Sequence, residues 1–135
     1  MIFRHTCNEG PVDTCAFLWI IASSDRLGGN ARNYISDLNN ELFLSVASLW
    51  EIAIKASLGK LELLRPFEQL IPDQLEKNAI DILPIEIPHL SEMMKRPFHH
   101  RDPFDRLIIA QSVFEKLPII SNDAAFQHYA VDLIW

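Results

Sequence analysis

The fold is decided by one stretch of the sequence, His99-His100-Arg101-Asp102-Pro103-Phe104-Asp105-Arg106-Leu107-Ile108-Ile109-Ala110-Gln111. Asp102 is a favourable helix N-cap, and Pro103 suits the first helical position because its missing N–H would have no helical partner there. Asp105 then falls in the first turn, ahead of an apolar stripe so broad that it must pack on more than one side. The stretch predicts a buried helix whose start carries two carboxylates.

These two carboxylates have a stabilising interpretation and a functional one. An acid at the N-cap or in the first turn stabilises a helix by about 0.3–1 kcal/mol through the helix dipole, without any chemistry. The same positive potential keeps both groups ionised, so that they could also hold a divalent cation. The two interpretations are compatible, and the choice depends on whether other acids reach the same place.

Composition restricts the possible function classes. The chain has 135 residues, of which 49% are hydrophobic, so we expect one domain over residues 1–135, with an irregular segment and the start of the first strand over residues 1–12. A net charge of -6 argues against a nucleic-acid binder that works through a broad basic surface. Cys7 and Cys15 lack the paired spacing of a zinc site. His5 and Cys7 could form half of a metal site, but the sequence offers no convincing second pair of ligands. We therefore expect a reduced, cytoplasmic protein that does not associate with a membrane.

Strands and helices alternate along the rest of the chain. The periodicity predicts helices at Cys15–Ala22, Gly28–Asn39, Ala47–Leu58, Pro66–Asn78, Pro88–Met94 and Ala124–His128, in addition to the central one. Strands are predicted to end at Pro11-Val12 and to cover Leu42–Val46, Ile80–Leu83, Leu117–Ser121 and Val131–Ile134. Such alternation predicts the α/β class, with a mainly parallel central sheet covered by helices on both faces.

Glu51 lies in a narrow polar strip of an otherwise apolar helix. Ser48 and Glu51 have the spacing of a capping box, and Glu51 and Lys55 have the spacing of an ion pair. The apolar residues on both flanks instead favour a strip that faces a cleft. Gly59 is placed to end this helix in a left-handed conformation.

Five acids map to one rim of the predicted sheet. The carboxyl ends of parallel strands form the ligand-binding edge, and each of these residues follows a strand or opens a helix: Asp13, Glu51, Asp102, Asp105 and Asp123. Clustered carboxylates repel one another unless cations or water compensate them, and oxygen ligands favour Mg²⁺, with Mn²⁺ as the alternative. Metal ions in such a cradle suit phosphodiester cleavage by an activated water.

Local basic groups could bind the phosphates of such a substrate. The loop over residues 95–101 is basic, and Lys55, Lys60 and Arg106 are predicted near the same rim. Solvated surface charge is the more common role for residues of this kind.

Four segments of the sequence resemble the PIN-domain toxins of the VapC type. They are Val12-Asp13-Thr14-Cys15-Ala16-Phe17-Leu18-Trp19, Leu42–Ser45 with Ser48–Lys55, His99–Arg106 and Ser121-Asn122-Asp123, in the family's order. The resemblance implies a three-layer PIN-like fold and an Mg²⁺-dependent endoribonuclease of a type II toxin–antitoxin module. It also implies inhibition by a cognate VapB-type antitoxin and self-association as a homodimer.

The resemblance further implies roles for the acids. Asp13, Glu51, Asp105 and Asp123 would be the catalytic, metal-holding residues, with Asp102 as a supporting ligand or cap. The chain departs from the family pattern in the polar residues that precede Asp13.

Two other functions compete with the ribonuclease. A catalytically impaired PIN-fold module would keep the fold and bind antitoxin or RNA without cleaving. A phosphatase with Asp13 as its nucleophile is disfavoured, because Cys15 stands where a second acid would be needed.

Overall fold

The computed structural model describes residues 2–3, 27–96, 102–121 and 124–135. In chain order these form β1 (Ile2–Phe3), α1 (Gly29–Ser36), β2 (Leu42–Ser45), α2 (Val46–Ser57), α3 (Phe67–Lys77), β3 (Ile80–Leu83), α4 (Ile87–Lys95), α5 (Pro103–Glu115), β4 (Ile119–Ile120), a 3₁₀ helix (Ala124–His128) and β5 (Leu133–Ile134). The helix predicted at Cys15–Ala22 and the strand end predicted at Pro11-Val12 lie outside these ranges. No helix in the described ranges is both long and apolar enough to cross a membrane.

The five strands form one sheet in the order β3-β2-β1-β4-β5, and every described pair is parallel. The centre of the sheet is β1, in which Ile2 pairs with Phe43 on one side and with Ile119 on the other. The sequence pattern does not predict this strand, which lies within the segment expected to be irregular. The predicted parallel α/β sheet is confirmed.

Helices cover both faces of the sheet, which gives three layers. Ile119 and Ile120 are adjacent in β4 and fully buried, so their side chains point to opposite faces. Ile120 packs in a cluster with Leu44, beneath α1 and α3, whereas Ile119 packs in a second cluster with Ile108 of α5. Each such buried side chain contributes about 1.5–3 kcal/mol of transfer free energy, so both faces stabilise the sheet.

The ends of α2 show one wrong and one confirmed prediction. The N-cap is Ser45, whose Oγ accepts a hydrogen bond from the backbone N–H of Ala47 at 3.1 Å, so the capping box predicted at Ser48 is wrong. Ser48 is already inside the helix and fully buried. At the other end Gly59 has a φ of 72°, the left-handed conformation predicted for it.

A buried histidine fastens α4 to α5. His89 Nδ1 accepts a hydrogen bond from the backbone N–H of Glu86 at 3.1 Å, so the ring proton is on Nε2, which lies 2.8 Å from the Glu115 carboxylate. The ring also makes an edge contact with Phe114, at 5.5 Å between centroids. These contacts close the N-terminus of α4 and fix the helix against α5.

Candidate active site

Two helices begin at the carboxyl edge of the sheet. The first residue of α2, Val46, directly follows β2. Helix α5 leads into β4 through the short connection 116–118, so its C-terminus lies at the amino edge and its N-terminus at the carboxyl edge. The N-termini of both helices therefore lie toward the carboxyl edge.

Glu51 is buried in α2, with 3% of its surface exposed. Its Oε1 lies 3.2 Å from Nζ of Lys55, one turn further along the helix. The predicted ion pair is therefore present, and Lys55, which is itself only partly exposed, faces a carboxylate that is withdrawn from water. A buried carboxylate is costly unless cations compensate it, so this position favours a functional role over a purely surface one.

Asp102 and Asp105 occupy the start of α5 as the sequence predicts. Asp102 is the N-cap, and its Oδ1 accepts hydrogen bonds from the backbone N–H groups of Phe104 at 2.8 Å and of Asp105 at 3.3 Å. Asp105 lies in the first turn and is 2% exposed. Asp102 therefore caps the helix, while the carboxylate of Asp105 is held in the interior near the positive end of the dipole.

One ring contact joins the two helices that carry the buried acids. Trp50 and Phe104 stack edge to face, with ring centroids 5.2 Å apart and an interplanar angle of 87°. These rings immediately precede Glu51 and Asp105, so the contact joins the parts of α2 and α5 that carry the acids. Trp50 is 59% exposed, and the contact lies at the edge of the protein rather than deep in its core.

The carboxylate oxygens in this region are of the type that a hard cation prefers, but the described residues supply too few of them for a complete site. Glu51 and Asp105 supply carboxylate oxygens, the ligands that Mg²⁺ prefers. Among the described residues, no group of three or more potential ligands is close enough to hold a metal ion. Asp13 and Asp123, the other two predicted acids, lie outside the described residues. Glu51 and Asp105 would therefore hold an ion only together with further ligands, and the metal role of all five acids stays a prediction.

The basic residues predicted near this rim are placed differently from one another. Lys55 pairs with Glu51, Arg106 is half-buried in the first turn of α5, and Lys60 is exposed just beyond α2. Lys95 is exposed at the end of α4, and residues 97–101 of the predicted basic loop lie outside the described ranges. Lys55 and Arg106 are thus the described cations that adjoin the buried acids in sequence and helix position.

Sequence analysis missed two buried polar residues near this edge, Ser45 and Gln111. Both are fully buried, and Ser45 Oγ donates a hydrogen bond to Gln111 Oε1 at 2.5 Å. The signal available in the sequence was a glutamine within an otherwise apolar helical stripe, but its partner is 66 residues away along the chain.

Comparison with known proteins agrees with this architecture. Residues 12–132 match the model of the PIN domain. A 58-residue stretch is 36% identical to Ribonuclease VapC16 of Mycobacterium tuberculosis, covering 43% of this chain and 41% of that protein, so the match spans about two fifths of the relative's length. The structure of FitAB bound to an IR36 DNA fragment has a similar fold, with a TM-score of 0.62 and 15% identity over 98% of this chain and 93% of that one.

The family match extends over nearly all the described residues and includes the three described acids. The parallel sheet with helices on both faces, the buried Glu51 within α2 and the buried Asp105 in the first turn of α5 agree with it. The chain belongs to the PIN domain family.

Proposed function

We propose that this protein is a metal-dependent endoribonuclease, the toxin of a type II toxin–antitoxin module. The observation that carries the proposal is the burial of two carboxylates, Glu51 and Asp105, on helices that meet at the carboxyl edge of the sheet. Membership of the PIN domain family and the partial match to a VapC ribonuclease support the choice of RNA as substrate.

In this proposal Glu51 and Asp105 hold Mg²⁺ or Mn²⁺ together with Asp13 and Asp123. Asp102 supports them by fixing the first turn of α5, because its cap determines where Asp105 is placed. The bound ion would supply the acidity that activates a water for attack on phosphorus. Lys55, which already faces Glu51, would keep the carboxylates compensated before an ion enters.

The metal requirement is the direct test of this function. The purified protein should degrade a mixture of labelled cellular RNAs when Mg²⁺ or Mn²⁺ is present, and excess EDTA should reduce cleavage to the level of a sample without protein. Restoring the divalent ion should restore cleavage. Absence of both Mn²⁺ binding and cleavage would instead favour the impaired PIN-fold module that binds without cleaving.

The antitoxin would bind beside the acidic edge. A groove of about 840 Å³ lies between α2, α3 and the edge strand β3, and most of its lining is apolar, including Trp50, Phe67 and Ile82. Trp50 also contacts Phe104 next to Asp105, so an apolar antitoxin segment in this groove would lie against the site. We assign the groove to a VapB-type antitoxin, which would act with the toxin in the cytoplasm.

A second surface fits a homodimer. Ile87, Leu90 and Met94 are exposed by 83%, 41% and 81% and share one face of α4, because their spacing is that of consecutive helical turns. Glu86 precedes this helix and Lys95 ends it, so an antiparallel pairing of two α4 helices places opposite charges together. We assign this α4 face to a second copy of the chain.

Leu90→Asp should convert the dimer to a monomer, because it places a charge at the centre of the apolar contact. Size-exclusion chromatography with light scattering should give twice the 15.5 kDa chain mass for the parent and a single chain mass for the variant. Leu64→Asp is the matched control, since Leu64 is 95% exposed outside the helices. A monomeric parent protein would contradict the assignment.

A further inference from the structure

A chain of buried hydrogen bonds links three elements at the carboxyl edge. The backbone N–H of Ala47 donates to Ser45 Oγ at 3.1 Å, and Ser45 Oγ donates to Gln111 Oε1 at 2.5 Å. Gln111 Nε2 then donates to the backbone carbonyl of Pro84 at 3.1 Å. We name this chain the Ser45–Gln111–Pro84 relay. Its two side chains are fully withdrawn from solvent.

The relay fixes the orientation of the Gln111 amide. The carbonyl of Pro84 can only accept a hydrogen bond, so the NH₂ end of the amide must face it. The oxygen of the amide then faces Ser45, whose hydroxyl accepts from Ala47 and donates onward. Each of the three hydrogen bonds in the relay has a fixed direction, which makes it a specific connection rather than an adaptable one.

The elements joined are those that carry the acids. Ser45 ends β2 and caps α2, Pro84 directly follows β3, and Gln111 lies on α5. The relay thus ties α5 to the carboxyl ends of two neighbouring strands. Helix α2 is joined to the same hydrogen bonds, because the hydroxyl of its N-cap residue, Ser45, is a member of the relay.

Each acid lies the same number of residues along its helix from a residue of the relay. Glu51 comes six residues after Ser45, and Asp105 comes six residues before Gln111. Six helical residues span about 9 Å, so each acid lies about 9 Å along its helix axis from its own relay residue. The Trp50–Phe104 ring contact shows that α2 and α5 meet beside the residues that carry these acids. A slide or roll of α5 at the relay would therefore change the separation of the two carboxylates.

We propose that Gln111 is a positioning residue of the acidic site, which sets the separation of Glu51 and Asp105 through the Ser45–Gln111–Pro84 relay. The proposal rests on the proposed function for its catalytic consequence. Gln111 holds α5 in register with the cap of α2 and touches neither acid in this role.

The test replaces Gln111 with methionine, which keeps the length of the side chain and removes both hydrogen bonds. Gln111→Met should weaken Mn²⁺ binding by up to about 10-fold, the lower end of the range for a group that hydrogen-bonds a metal ligand directly, because Gln111 acts only through the position of α5. It should also shift the NMR signals of the Trp50 indole and the Phe104 ring, because those rings report how α2 and α5 meet. Cleavage should fall in kcat more than it changes in KM.

Ser112→Ala is the matched control on the same helix. Ser112 is also buried, and its Oγ donates to the backbone carbonyl of Leu117, away from the acids. This variant should lose stability and keep both Mn²⁺ affinity and the ring signals of the parent. If Gln111→Met does not fold, Ser45→Ala breaks the same relay, and Ser45→Thr should restore the parent behaviour because it keeps the hydroxyl.

The outcomes separate the two proposals. If the parent protein neither binds Mn²⁺ nor cleaves RNA, the proposed function is wrong. The ring signals of the variants alone then test whether Gln111 positions the two helices. Unchanged ring signals in Gln111→Met or Ser45→Ala overturn the positioning role whatever the activity. If the parent binds Mn²⁺ and a variant changes the ring signals without changing the Mn²⁺ affinity, the positioning role of Gln111 is also wrong.

Discussion

Asp105→Asn is expected to abolish metal-stimulated RNA cleavage while leaving the fold intact. Asp105 is 2% exposed in the first turn of α5, and asparagine keeps its shape and one acceptor oxygen but removes the charge that would hold a cation. The loss in kcat/KM should exceed the roughly 10- to 100-fold that follows from changing an outer-shell partner of a metal site. Cleavage assays with Mg²⁺ and with Mn²⁺ measure it.

The effect of Asp105→Asn on stability should be small. The variant loses a helix-dipole interaction of about 0.3–1 kcal/mol, but it also removes the desolvation cost of one buried charge. Urea unfolding in EDTA should therefore show a near-parental midpoint. Asp73→Asn is the matched control, because Asp73 is an acid on α3 paired with Arg65 and Lys77. Undiminished cleavage by Asp105→Asn would remove this residue from the site.

Glu51→Gln is expected to cause a second large loss of cleavage and of Mn²⁺ affinity. The alternative role of Glu51 is its ion pair with Lys55 at 3.2 Å, and a pair of this kind on a helix contributes only about 0.2–0.5 kcal/mol. If Glu51 holds the metal ion, the losses of cleavage and of Mn²⁺ affinity, expressed as free energies, should be far larger than the contribution of that ion pair. Isothermal titration with Mn²⁺ and cleavage kinetics measure the two losses.

Lys55→Met separates these two roles of Glu51. It removes the same ion pair but keeps the carboxylate, so Mn²⁺ binding should survive. The metal-free variant should be less stable than the parent, because Glu51 has lost a compensating cation, and Mn²⁺ should restore more stability to it than to the parent. Equal effects of Glu51→Gln and Lys55→Met would leave Glu51 as an ordinary ion-pair partner.

The start of α5 could be predicted from the sequence because its signals are local and agree with one another. A capping acid, a proline at the first helical position and an apolar run all indicate the same boundary, and the structure has Asp102 as N-cap and Pro103 as the first residue. Strand β3 was predicted with its observed bounds, Ile80–Leu83, for a similar reason. The start of α5 is also one of the segments that carry the family resemblance, and the prediction of a PIN domain is confirmed.

The errors arise where tertiary contacts decide between equivalent local signals. Ser45 and Ser48 both precede apolar helical residues, and only the position of the end of β2 makes Ser45 the cap. Strand β1 is two residues long, too short to show any period, and it is recognisable only through its pairing with β2 and β4. The segment 124–128 has the composition of a helix but forms a 3₁₀ helix.

The sequence indicates the candidate acids and a common edge of the sheet for them, but not their burial or the contacts between the helices that carry them. Local sequence indicated Glu51 and Asp105, and the structure adds their burial and the ring contact that joins their helices. Gln111 could not be assigned a role, because hydrogen bonds between Ser45, Gln111 and Pro84 depend on how distant segments pack. The roles of Asp13 and Asp123 stay predictions that follow from the family resemblance.

The most direct measurement of the central claim is anomalous diffraction from a crystal of the protein containing Mn²⁺. The account predicts one manganese peak with carboxylate oxygens of both Glu51 and Asp105 within direct coordination distance. A manganese peak elsewhere, or the two side chains directed to different sides of the molecule with no peak between them, would contradict it.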